Sequence, residues 1–189
     1  NDYVLTLTQN DADQYGMLID GSSEKAIYIA SGMDGACYGG STGACALNDY
    51  AEMMEFSELP SDGEVIVIDT QNPGKLKTSE GPYSKLVAGI ASENPAMVIG
   101  SYGISIKGWN KNETSEDGSA IYPLAISGRK FIKVTNENGK VMPGDLLVSS
   151  SERGKAMRCD DYTKCQGAIL GKAMTEAGNN KVVLALITL

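Results

Sequence analysis

The residues available for chemistry in this chain are carboxylates, amides and thiols. Histidine is absent. Without it, neither a Ser-His nor a Cys-His nucleophile can be assembled, and no His-ligated metal site can be built. That removes most hydrolase and metalloenzyme templates. Two acidic residues stand three apart in Asp49-Tyr50-Ala51-Glu52. A carboxylate in such a place can act as general base for water or for a neighbouring side chain, if burial lifts its pKa toward neutrality. The same spacing is also a capping-box pattern, with Asp in place of Ser or Thr. It would open a short helix around Tyr50 to Glu55, with Tyr50, Met53 and Phe56 as core contacts. No phosphate-loop or dinucleotide fingerprint is present. Neither a cofactor nor a metal is expected.

The four cysteines form two local pairs, Cys37 with Cys45 and Cys159 with Cys165. An even count at short separation fits two small disulfide loops in an oxidising compartment. Free buried thiols are one alternative. A four-thiolate zinc site is the other, but neither pair has the C-x₂₋₄-C spacing.

The elements that must position these groups are β almost throughout. Val4 to Thr8, Tyr15 to Ile19 and Ala26 to Ile29 read as strands, followed by a Gly- and Ser-rich connection over Gly32 to Gly43. A boundary falls near residue 47. Beyond it, Glu64 to Asp69, Leu86 to Ser92, Ile121 to Ser127, Lys130 to Thr135, Asp145 to Ser150, Gln166 to Ala173 and Lys181 to Thr188 read as strands. Turn chemistry at Pro60-Ser61-Asp62-Gly63, Asn72-Pro73-Gly74, Glu137-Asn138-Gly139 and Ala177-Gly178-Asn179-Asn180 separates them. Gly128-Arg129 reads as a further turn, with Arg129 pairing a carboxylate such as Asp145. Trp109 to Gly118 is polar and reads as an exposed loop. Many short strands with frequent turns argue an all-β barrel or sandwich. Residues 1–47 make a short β-rich, stalk-like segment and residues 48–189 the C-terminal domain.

Composition agrees with a folded protein of this kind. The chain has 189 residues, of which 42% are hydrophobic and 21% charged, enough for one domain with a sizeable core. The net charge of -8 repels nucleic acid and anionic lipid, so neither is an expected partner. No run approaches the roughly 20 apolar residues of a membrane span. The chain opens polar at Asn1-Asp2 and reads as a mature protein or a piece of a longer one.

From Asn48 onward a set of short motifs recurs in order. They are Asp49-Tyr50-Ala51-Glu52, Gly63 to Asp69 (GEVIVID), Pro82-Tyr83, Val87 to Ser92 (VAGIAS) with Asn94-Pro95, and Pro123-Leu124-Ala125 with Gly128-Arg129. Lys133-Val134, Pro143 to Leu147 (PGDLL), Gly154 to Met157 (GKAM) and Ile169 to Ala173 (ILGKA) follow. This series resembles the C-terminal autoproteolytic intramolecular-chaperone domain of phage tailspikes and neck appendages, and the similar domain that closes bacterial surface stalk proteins. The resemblance covers about three quarters of the chain and leaves residues 1–47 outside it. It implies a cut before the Asp of the D-x-A-E motif, so the scissile bond would be Asn48–Asp49. Glu52 would be the catalytic carboxylate and Asn94 the helper amide, donating to the developing oxyanion. Asp49 is an alternative internal nucleophile on its own N-side bond. The resemblance also implies a homotrimer, at the cell or virion surface or otherwise extracellular.

Several functions follow. One is a structural and assembly domain of an extracellular fibre, surface stalk or phage-tail-like protein. Another is a single-turnover autoprotease acting on its own chain. A glycan- or receptor-binding tip, with Trp109 in the exposed loop, is a third. A filament subunit that adds strand Val4 to Thr8 to a neighbour's sheet is a fourth. The autoprotease reading makes a sharp prediction. The folded chain should part between Asn48 and Asp49, and Glu52→Gln should abolish the cut while leaving the fold intact, as read by intact mass spectrometry. A wild-type chain that stays whole through folding and storage makes Asp49 and Glu52 structural residues.

Overall fold

The structure is a computed structural model. It describes residues 49–100, 103–105 by their backbone, and 114–189. The three strands expected within residues 1–47, the expected Cys37–Cys45 pair, Asn48 and Trp109 lie outside the described residues. Among the described residues, eleven strands and one short helix follow in order: β1 (Asp49–Phe56), β2 (Val65–Ile68), β3 (Leu76–Thr78), β4 (Val87–Ala91), β5 (Met97–Gly100), β6 (Gly103–Ser105) and β7 (Ala120–Lys133). Then come β8 (Leu146–Ser149), β9 (Ala156–Arg158), α1 (Tyr162–Cys165), β10 (Ile169–Ala173) and β11 (Val182–Thr188). The all-β expectation is met.

Five strands close a barrel in the order β1-β3-β2-β4-β7 and back to β1. The other strands lie outside this ring. β5 and β6 extend it from β1, and β11, β10, β8 and β9 continue from β7. A single parallel bridge, Val134 to Ala156, ties β9 back to the chain just after β7. One core fills the ring, with Phe56, Ile66, Leu76, Ala91, Tyr122 and Leu124. The Phe56 and Tyr122 rings meet edge to face, with centroids 6.2 Å apart, the arrangement their quadrupoles favour. A larger core, including Val65, Ile90, Ile132, Leu147, Leu170 and Val183, lies under the outer strands. β2 explains its own sequence. Val65 joins the larger core and Ile66 the ring core, so an apolar run without alternation is buried on both faces.

Two expectations are corrected here. Tyr50 to Glu55 is not a helix. It belongs to β1, which pairs with β7 along its whole length and with β5 over Tyr50 to Glu52. Ladder pairing on two edges outweighs a weak local capping signal, since propensity yields to tertiary context. Gly128-Arg129 is not a turn either. β7 runs unbroken for 14 residues, and Gly128, at φ 98°, sits where the strand passes from pairing β1 to pairing β11. Only glycine takes that conformation without strain. Asp145 uses its carboxylate locally, accepting from the Met142 N–H at 2.8 Å. The Cys159–Cys165 disulfide is present, with S–S at 2.02 Å. It pins α1, which Asp161 caps by accepting from the Thr163 N–H at 3.0 Å. The four turn sequences singled out above do turn the chain, each closed by a backbone hydrogen bond such as Lys75 N–H to Asn72 O at 3.0 Å.

The end of β2 is fastened to the end of β1 by a buried carboxylate. Asp69 accepts from the Ser57 hydroxyl at 2.6 Å, the Asn72 amide at 2.8 Å and the Gln71 N–H at 2.9 Å. The Ser57 hydroxyl first, then Asn72 and Gln71, hold its pKa well below the usual carboxylate range. A folded-state pKa below the unfolded one gives stability that is complete above about pH 4 and lost as pH falls toward the folded value. Asp69→Asn should therefore destabilise the domain at pH 7, and its deficit against wild type should shrink toward pH 3, as measured by urea unfolding at both pH values.

Candidate functional site

β1 presents its two carboxylates to opposite faces, as strand alternation requires of residues three apart. Asp49 is fully buried. Its Oδ2 accepts the Ser92 hydroxyl at 2.5 Å and its Oδ1 the Ala96 N–H at 3.2 Å. Ser92 is itself buried and donates its N–H to Pro123 O at 3.0 Å. The loop from Ser92 to Ala96 is thus clamped at both ends onto the first residue of β1. A buried carboxylate is tolerated only when its oxygens are matched in this way.

Glu52 shares its face of β1 with Met54 and Phe56. Phe56 is sealed in the ring core, whereas Glu52 is exposed. Its strand partners are Ile99 on β5 and Leu124 on β7. Asn94 is exposed at the middle of the clamped loop. Among the described residues, neither the Glu52 nor the Asn94 side chain has a hydrogen-bond partner. The fold therefore joins Asp49 to the loop that carries Asn94, and leaves Glu52 facing solvent three residues along the strand. Asn48 lies outside the described residues.

Ser92 is the residue that sequence reasoning passed over. It lies in the same short motif as Asn94, but a serine after an apolar run reads as the end of a strand. The signal that would have found it is the unpaired charge of Asp49 next to a strand, which requires a donor from somewhere. Among the described residues, no group of three or more Cys, Asp or Glu is placed to hold a metal ion, and no helix is long and apolar enough to cross a membrane.

Ser92→Ala removes the hydroxyl donor from a buried carboxylate. A hydrogen bond to a charged group contributes about 1.5–3 kcal/mol, so the variant should lose stability on that scale in equilibrium unfolding. Ser92→Thr, which keeps the hydroxyl, should lose less.

The comparisons with known proteins are sparse. No family model matches the chain, and no curated protein matches it. Among solved structures it is similar to the N base of the head fibre protein gp8.5 of bacteriophage phi29. The identity is 14%, the match covers 75% of this chain and 91% of that one, and the TM-score is 0.32. At that score the likeness bears on neither fold nor role.

Proposed function

We propose that residues 48–189 form the terminal assembly domain of an extracellular fibre, surface stalk or phage-tail-like protein, carried by the upstream segment 1–47. The observation behind this reading is where the chain enters. β1 is the first strand of the domain and also one of its most heavily paired, against β3, β5 and β7. Its first residue is buried and clamped through Asp49. An upstream segment joined there is held by the middle of the sheet rather than by a fraying edge. A disulfide-stapled, acidic, all-β body of this kind fits an oxidising, exposed location.

Self-association is the second part of the reading. Tyr50, Phe131 and Leu186 are exposed. They lie on one face of the β1-β7-β11 stretch, at successive alternate positions of β7, where Tyr50 faces Ser127, Leu186 faces Arg129 and Leu184 faces Phe131. Exposed apolar side chains gathered on one face mark contact surfaces more often than scattered ones do. A further copy of the chain is the occupant that a trimeric fibre would supply.

Self-cleavage at Asn48–Asp49 is a distinct reading, supported by the clamp that joins Asp49 to the loop of Asn94. Its general base must be partly dry to work near neutral pH. In one copy of the chain Glu52 is exposed, so this reading requires a second copy or the upstream segment to cover it.

The assembly reading is tested by light scattering. The intact chain at micromolar concentration should have three times the mass of one 20.0 kDa chain, and removal of residues 1–47 should lower the order of assembly. A monomer in both cases would sink it.

A further inference from the structure

A buried amine of β7 meets a carboxylate of the turn before β2. Lys130 lies in β7, on the core face it shares with Ile132, and its side chain is only 4% exposed. Its Nζ lies 2.6 Å from Oδ1 of Asp62, in the turn that leads into β2. Asp62 is fixed in place. The same Oδ1 accepts the Glu93 N–H at 2.7 Å, and Gly63 beside it, at φ 76°, would bring a Cβ to 2.9 Å from Phe131 O. The surroundings are crowded with like charge. Burial first, then the carboxylates of Asp62, Glu93 and Glu64, push the Tyr122 phenol up, so that it stays protonated.

We propose that Lys130 and Asp62 condense into an intramolecular amide, a covalent staple between the turn before β2 and strand β7. The step balances without any co-reactant. One proton passes from Nζ to a carboxylate oxygen of Asp62, leaving a neutral amine and a neutral acid. The Nζ lone pair attacks Cγ and forms the C–N bond. A second proton leaves nitrogen for the departing hydroxyl, the C–O bond breaks, and one water is released. An ammonium and a carboxylate become a secondary amide with one N–H.

Three features favour the reaction here. The N···O separation of 2.6 Å places Nζ roughly 3.5 Å from Cγ, at the outer end of the distances from which held reactants gain most in rate. The product also removes a charge from a lysine that the fold has almost wholly desolvated, and a buried charge is costly even when paired. Asp62 is 43% exposed, which gives the released water a path out. The staple spans 68 residues of sequence and links the turn before β2 to β7. It does not depend on the assembly reading, because a monomer would form it equally.

The test is intact mass spectrometry of the full chain, fully reduced and unfolded. The expected mass is one water below the sequence mass, with a branched peptide joining the Asp62 and Lys130 segments after proteolysis. Lys130→Arg keeps a cation for Asp62 but cannot condense under these conditions, and should restore the full mass. Asp62-Gly63 can also lose one water by closing a succinimide on the backbone. That loss would survive Lys130→Arg and would give no branched peptide, and finding it would overturn the proposal. So would a wild-type chain at full mass whose Lys130, after unfolding, reacts with an amine reagent. The wild-type measurements decide the matter even if the variant fails to fold.

Discussion

Everything described depends on β7 being paired along both edges. Its first half takes β1 on one side and the short β4 on the other, and its second half takes β11. A backbone N–H or C=O in the interior must find a partner, and β7 supplies the partners for three other strands. It is therefore the seam between the closed ring and the outer strands. The two cores meet across it. Tyr122 and Leu124 belong to the ring core, while Ala125, Ile132 and Val134 at or just beyond its end belong to the larger one. Gly128 lies between Ala125 and Ile132, where the pairing passes from β1 to β11.

The polar groups near this seam follow the same rule. Asp49, Asp69 and Lys130 are all buried, and each is matched by partners from a different part of the chain. Asp49 takes them from the loop after β4, Asp69 from the end of β1 and the turn after β2, and Lys130 from the turn before β2. Buried polar groups satisfied in this manner contribute little net energy, but removing one partner is expensive. They fix which loop lies on which strand, and a purely apolar ring would not distinguish between neighbouring registers so sharply.

The strands legible in the sequence were those whose own residues carry the signal. Val65 to Ile68 and Val182 to Thr188 are β-branched runs bounded by turn residues, and both lie where expected. β3 and β9 have three residues each and β5 has four. No periodicity can be read over so few positions. β1 was misread because Asp49 and Glu52 match a helix start locally, and only the partner strand β7, some seventy residues later, decides otherwise. The split of β7 had a similar cause. Glycine marks turns and bulges alike, and the difference lies in what pairs beside it. For the site, the D-x-x-E spacing marks β1, but the donor to Asp49 is 43 residues away in sequence and leaves no trace in local pattern.

β1 and β11, the first and last of the described strands, flank the same point of β7. Asp49 lies opposite Gly128, and Thr188 lies opposite Ser127 on the other edge. Both strands run antiparallel to β7, hence parallel to each other, with the beginning of one and the end of the other about 10 Å apart across two strand spacings. Tension applied between those two points would draw β1 backward and β11 forward along the same axis. The load would fall on all their ladder bonds together, in shear, rather than peeling them one at a time.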